Sequence, residues 1–513
     1  MIQRKKYNNL SQYIHHYAKT VPNQLAIIYE DMDVSYKSLN TLTIKFANLL
    51  FTYKIKTVAF CILNSPINFL CYLGSWASNT DAFPINPRLT NHEIIKILKK
   101  TKLELLIVDD ERPDENLKKF CQESNIILVT IDKLNPMKGD LANKLKDIEE
   151  SPIFENSPKN NCSFTYHLTS GSDGKYKLIA HNNLQILEYA INRAHDIGYT
   201  KEDKILISLS IHHAFAFSYQ FLPALILGLP MYVQSQFCAS EALKIIYKNK
   251  ITSIALLPSM VYFLCLKTKE FSYRQYPSLR YAISCGDSLP IAFSKLFKKV
   301  FNSNVYQGIG MTEVFGYAQN TPNSKQMLST GKLFNTVQIK ILNDSGELVD
   351  HGTPGNVYIK NEVMPNRTHP QSEFPVHQLE NGWLNTEDIG YIDNLNYFYF
   401  LGRKKHIIIK DGSNISPIEI ENIIYLSDRI YQVAVLGQKH EIHGEIIIAF
   451  IVPMQNSFVD LTFIKQHCKK YLANYKIPEK VYIVDSLPLN STGKIDKKSL
   501  HSLLVNKNYF LFR

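Results

Sequence analysis

The chain has 513 residues, 45% of them apolar and 20% charged, so it is long enough for two to four domains with large buried cores and too apolar for wholesale disorder. A formal charge of +11 favours anionic ligands such as nucleotides, coenzymes or membrane surfaces without choosing among them. Its lysines are scattered and no aromatic platform or reading helix accompanies them, which argues against nucleic acid.

In chain order, short β-rich runs alternate with helical periods: a strand at 26–29, a helix at 36–51, a strand at 58–63, a helix at 67–75, a helix at 92–101 and a strand at 105–108. Residues 138–159 read as an exposed loop. A second set of strands follows near 205–209, 230–234, 253–257 and 279–285. This alternation predicts α/β sheets with helices on their faces. Ala214 to Val233 carries no charge and has the length of a membrane span, but Pro223, Gly228 and Pro230 break it, predicting a buried helix that ends near Gly228 and then a strand. From 338 to 400 the pattern turns to short strands and tight turns, predicting a small antiparallel or barrel-like piece. Beyond Gly402-Arg-Lys-Lys405 the chain reads as a compact α+β unit. The eight cysteines form no C-x-x-C pair, as expected of small buried hydrophobes in a reducing compartment. No apolar signal-peptide core follows the N-terminal charges, so a cytoplasmic location is expected.

Two segments carry the chemistry. Thr169-Ser-Gly-Ser-Asp-Gly-Lys-Tyr-Lys177 follows a strand-like run; its glycines let the backbone approach an oxyanion, and its hydroxyls and lysines supply donors and charge. The Walker pattern is absent from it. Far along the chain, Ser491-Thr-Gly-Lys494 offers a lysine on a loop.

Between them lies an ordered set: Gln307-Gly-Ile-Gly-Met-Thr-Glu313, Gly382-Trp-Leu-Asn-Thr-Glu-Asp388, Gly402-Arg-Lys-Lys405 and Gly412-Ser-Asn-Ile-Ser-Pro417, with weaker markers at Pro84-Ile-Asn-Pro87 and Gly286-Asp-Ser-Leu-Pro290. From about Pro22 to Lys498 the chain resembles the adenylate-forming superfamily of acyl-CoA synthetases, carrier-loading adenylation domains and firefly-type luciferases. The resemblance implies residues 1–402 as an adenylation region of two stacked α/β subdomains plus a small β-barrel, a hinge at 403–405 about Lys405, and a mobile α+β domain at 406–513. It implies MgATP and a small carboxylic acid as reactants, and coenzyme A or the phosphopantetheine of a carrier protein as acceptor. Lys494 would bridge the carboxylate and α-phosphate oxygens, because joining two anions needs positive charge more than a base. Thr169, Ser170, Gly171, Ser172, Gly174, Lys177, Gly286, Gln307, Gly308 and Thr312 would surround ATP. Glu313 would hold Mg²⁺. Asp388 would accept from the ribose hydroxyls, with Arg403 at the ribose or the hinge. Gly412 would line the thiol tunnel. His213 resembles the histidine before the acyl pocket, with the adjacent His212 an alternative and a structural role open for either.

The stretch Ala214–Phe221 lacks the aspartate that would pair with an amino-acid ammonium, which favours an apolar acid, fatty first and aryl second. Carrier loading with an aryl or amino acid is the alternative. Four positions depart from the family pattern: Asp173 for threonine, Tyr176 for proline, Ile309 for tyrosine and Glu387 for glycine. A carboxylate ~5 Å from a phosphate charge costs ~3 kcal/mol at an effective dielectric near 20. A catalytically silent, ligand-binding relative is therefore the competing class. His440-Glu-Ile-His443 is one residue short of the zinc motif and reads as a loop between strands. Peripheral membrane contact stays open.

Overall fold

The computed structural model describes residues 7–133, 135, 137–150, 163–170, 176–271, 276–366, 379–489 and 494–506. Three sheets organise them. The first runs in the order Ile127–Ile131, Leu105–Asp109, Thr57–Cys61, Asp81–Pro84, Phe164–Ser170 and Tyr176–Asn182. Its first five strands are parallel and the last is antiparallel. Thr57–Cys61 and Leu105–Asp109 are buried at every position, as continuous apolar runs in a parallel sheet must be.

The second sheet is parallel from Val305–Met311 through Tyr281–Ser284, Ser253–Leu256, Ile205–Ile207 and Met231–Val233 to Leu25–Tyr29. On its other side it continues as antiparallel strands, Phe315–Gln319, Gly331–Leu333, Tyr397–Arg403, Trp383–Ile392, Gly355–Lys360 and Gln338–Leu342. The short strands expected at 338–400 are thus joined edge to edge with the parallel ones. The change happens within one strand: Val305–Gln307 pair in parallel with Tyr281–Ser284, while Gly308–Met311 pair antiparallel with Phe315–Gln319. Ligands of open α/β sheets gather at carboxyl strand ends near such changes of direction. Here that edge carries Gln307, Gly308 and Gly286.

The third sheet lies wholly after the hinge segment, in the order Ser413–Ile415, Ile408–Lys410, Gly444–Pro453 and Ile430–His440, with Lys480–Ile483 parallel to Gly444–Pro453. Helices Pro417–Ile424, Leu461–Cys468 and Lys497–Asn506 belong to the same unit. This unit meets the large region through rings. Tyr262 lies 5.0 Å from Tyr431 and Phe293 5.5 Å from Tyr425, and the Tyr262 hydroxyl is 3.2 Å from Met454 Sδ.

The uncharged stretch is helix Ala214–Ala216, a wider π-turn Phe217–Phe221 and helix Leu222–Leu227, then strand Met231–Val233. Among the described residues no helix is long and apolar enough to cross a membrane. One expectation needs correction. Residues 138–159 are not one loop, because Asp140–Lys146 is a helix that buries Leu141 and Leu145, one turn apart, beneath its charged face. Most of the described cysteines are buried, as expected, and Cys238 is exposed.

Candidate active site

Strands Phe164–Ser170 and Tyr176–Asn182 form a hairpin in which Thr169 faces Lys177. The candidate phosphate loop is the tip of this hairpin. Gly171, Ser172 and Gly174, with Asp173, lie outside the described residues, as does the side chain of Ser170. Behind the tip sit two histidines that no motif announced. His181 Nε2 is 3.0 Å from the carbonyl oxygen of Thr312. Burial pulls the His181 pKa down to about 4 against the raising effect of that carbonyl. A carbonyl only accepts, so the neutral ring carries its proton on Nε2 and donates. His167, 5.5 Å away, is pushed well below the usual histidine range by burial and then by His181 and His213. This neutral pair ties the loop hairpin to the Thr312–Glu313 turn.

That turn joins Val305–Met311 to Phe315–Gln319 and presents Glu313 half-buried. Burial raises the Glu313 carboxyl; Arg403 and Lys177 oppose the rise and Glu387 adds to it. Asp388 and Arg403 face each other across adjacent strands, with Arg403 Nε 3.0 Å from Asp388 Oδ1. Arg403 Nη1 donates to the Thr386 carbonyl at 3.1 Å. Asp388 is 5% exposed, yet its Oδ1 has no aligned hydrogen-bond donor. A buried carboxylate oxygen with an open lone pair fits a hydroxyl donor such as a ribose.

Glu387 has φ +60°, the left-handed region that favours glycine, so the family glycine at this position has a backbone reason and this chain tolerates the strain. Since a left-handed L-residue costs ~1–2 kcal/mol and glycine returns part of that in chain entropy, Glu387→Gly is expected to leave the melting temperature unchanged or slightly raised. It should also lower the Asp388 pKa by removing a neighbouring carboxylate. Thermal unfolding and the pH dependence of nucleotide affinity check both.

Lys494 lies just before Ile495, which bridges to Leu489, and Asp496, whose amide donates to the Pro488 carbonyl at 2.8 Å. Gly286, at φ +94°, lies beside the lysine: a Cβ there would stand 3.8 Å from Lys494 Cε, at van der Waals contact. The ammonium's field is felt on three sides. After burial, it is what most depresses His213, to about 4, and it opposes the burial that lifts the Cys285 thiol to about 11. It also helps to hold down Asp388. Contacts and electrostatic influence thus link Lys494 with Gly286, His213 and Asp388, and Asp388 with Arg403 and Glu313, which also senses Lys177; this is the candidate cleft. His213 caps the helix Ala214–Ala216, while His212 turns its Nδ1 to Ser210 Oγ, so of the two histidines His213 faces the lysine. Gln307 and Gly308 line the strand end nearby, where the Gly308 backbone lies against the Tyr219 ring.

Two residues stay outside the cleft. Lys405 sits in the helical turn Lys404–His406. Gly412 sits at the exposed tip between Ile408–Lys410 and Ser413–Ile415, with φ +75° and open space around it. Three cations beside carboxylates and an open buried acceptor suit a polyphosphate and a ribose.

Known proteins point the same way. The family model described as AMP-binding enzyme matches residues 14–365, and that of the AMP-binding enzyme C-terminal domain matches 419–494. A long-chain-fatty-acid–CoA ligase of Mycobacterium tuberculosis is 28% identical over 480 residues, 92% of this chain and 93% of its own. An indoleacetate–CoA ligase of Aromatoleum aromaticum is 26% identical over 512 residues, 98% of this chain and 99% of its own. The solved o-succinylbenzoate CoA synthetase of Bacillus subtilis, in complex with the acyl-adenylate intermediate OSB-AMP, is 26% identical with a TM-score of 0.78, covering 95% of this chain and 97% of that one.

Proposed function

The chain belongs to the AMP-binding enzyme family, and from that premise we propose that it ligates an apolar carboxylic acid to coenzyme A in two steps. In the first, a carboxylate oxygen of the acid attacks the α-phosphorus of ATP and the bond to pyrophosphate breaks, leaving an acyl-adenylate. In the second, the coenzyme A thiol attacks the acyl carbonyl, loses its proton and expels AMP. One observation carries the reading. The Lys494 chain passes over Gly286 so that its charge reaches His213 and Asp388 in a single cleft. A cation there offsets the repulsion between carboxylate and phosphate as they close. The neutral His213 adds no competing charge. Asp388 would take the ribose and Arg403 orient it; Thr169 and Lys177, with the loop residues Ser170, Gly171, Ser172 and Gly174, would hold the phosphates. Glu313 would carry Mg²⁺, which when bound neutralises phosphate charge.

Residues 1–402 act as the adenylation region and 406–513 as a unit that pivots about Lys405 between the steps. Support comes from the contact between the two, which is aromatic and thioether packing that can separate without stranding buried charge. Gly412, exposed at its turn, would enter the cleft for the second step and line the thiol tunnel.

The nature of the acid rests on the walls. Ala214, Phe215, Leu257, Met260, Ile309 and Met311 are half-buried apolar side chains packed against the core, Ala214 following His213, Leu257 lying beside Gly286 and Ile309 following Gly308. None is charged, and the named relatives act on fatty and aryl acids. ATP–pyrophosphate exchange across fatty acids of graded length, arylacetates and amino acids tests the assignment. Exchange is expected with apolar acids, fatty before aryl; preference for an amino acid would refute it.

A further inference from the structure

We propose that His443 is a positioning residue for thiol transfer, bracing the Asp411–Gly412 turn from the neighbouring hairpin; this rests on the two-step reading above. Asp411 (φ +49°) and Gly412 (φ +75°) are both left-handed, the pair of conformations that a two-residue Asp-Gly hairpin turn adopts. Open space surrounds Gly412, so packing on its own side does not fix it. Beyond the Lys410–Ser413 pair of its own hairpin, two contacts hold the Asp411 end, and both run to His443. Its Nδ1 is 2.8 Å from Asp411 Oδ1, and its carbonyl accepts from the Asp411 amide at 3.1 Å.

His443 is itself held. It lies at the tip joining Ile430–His440 to Gly444–Pro453, where His440 Nδ1 accepts from the amides of Ile442 and His443 at 3.3 Å. The two rings stack 5.0 Å apart with 22° between their planes. The sequence pair that imitates a zinc motif is thereby occupied in local bonds: one Nδ1 faces backbone, the other a carboxylate. No group of metal-ligating side chains forms here among the described residues. On its other flank this hairpin tip, with Lys439, His440 and Gly444, lines an open cavity of about 650 Å³ together with the hinge lysines Lys404 and Lys405. It therefore touches the pivot on one side and the tunnel turn on the other, so that the turn arrives in the cleft already shaped.

The test separates the half-reactions in His443→Leu and His443→Asn. Thioester formation is followed in a single turnover from preformed acyl-adenylate and coenzyme A, and adenylation by pyrophosphate exchange. His443→Leu is expected to slow transfer about threefold to fivefold, the scale of a half-exposed charge-assisted contact, while exchange stays at the wild-type rate. His443→Asn, whose amide can donate from nearly the Nδ1 position, is expected to restore transfer. Wild-type transfer in His443→Leu overturns the proposal, as does equal loss of both half-reactions or failure of the asparagine rescue. Failure of the parent reading looks different, because the wild-type protein itself would then exchange no pyrophosphate or make no thioester.

Discussion

Replacing Lys494 with alanine is expected to cut ATP–pyrophosphate exchange by about a thousandfold while leaving thioester formation from preformed acyl-adenylate within a few-fold of wild type. A unit cation ~4 Å from an anionic oxygen contributes ~4 kcal/mol at an effective dielectric near 20, which converts to about three powers of ten in rate. Removing a single oxyanion donor costs about the same in other acyl-transfer sites. The first step joins two anions and feels this loss in full. The second expels AMP from an already activated carbonyl and, on the proposed pivot that turns Lys494 out of the cleft, does not. Folding should survive the substitution. Lys494 is exposed, and the helix that follows is anchored separately by Lys497, whose Nζ is 3.0 Å from Glu421 Oε1. Exchange and single-turnover transfer, measured on one preparation with matching circular dichroism, decide the point; equal loss of both would contradict the division of labour.

How far the sequence reached differs from element to element. Strands such as Leu105–Asp109 and helices such as Tyr36–Thr52 were legible within a residue or two, because unbroken burial and helical periodicity both leave local marks. Helix Asp140–Lys146 was not, since its charges hide the only two leucines that matter. At the cleft, the identities of Lys494, Asp388 and Glu313 came from their motif context, but their meeting could not. Lys494 and Gly286 are distant in the chain, and no spacing rule joins them. His181 and His167 had no motif at all. Their role comes from strand pairing that sets His181 against the Thr312 carbonyl, a contact visible only once the sheet is assembled. The strain at Glu387 was likewise invisible as strain, and stood in the sequence only as a departure from a pattern.

Asp388→Asn is expected to weaken ATP binding about tenfold to a hundredfold and to remove the pH dependence near pH 6 that is expected of wild type. Each hydrogen bond to an ionised group contributes ~1.5–3 kcal/mol, and asparagine keeps one acceptor of two. Burial lifts the Asp388 carboxyl from the ordinary 3.8 to about 6; Arg403 opposes the lift, Glu313 and Glu387 add to it, and Lys494 again lowers it. Only the ionised form accepts from both ribose hydroxyls, so kcat/KM for ATP should fall as pH drops through about 6. His213 and His181, both near 4, stay neutral across that window and cannot cause the inflection. Glu313, also raised, is the proposed metal ligand, so Asp388→Asn isolates the ribose contribution. Stability responds with the opposite sign. A carboxyl whose folded pKa lies above its unfolded value binds its proton more tightly when folded, so its contribution is fully present below about 4 and is lost as pH rises through about 6. At pH 7 the ionised Asp388 is a burden on the fold, and Asp388→Asn should melt no lower than wild type there. A residue kept for structure would lose stability on substitution. Weaker nucleotide binding with an undiminished melting temperature is therefore the signature of a carboxylate kept for its ligand, whereas a lowered melting temperature with unchanged affinity would assign Asp388 to the strand pair alone.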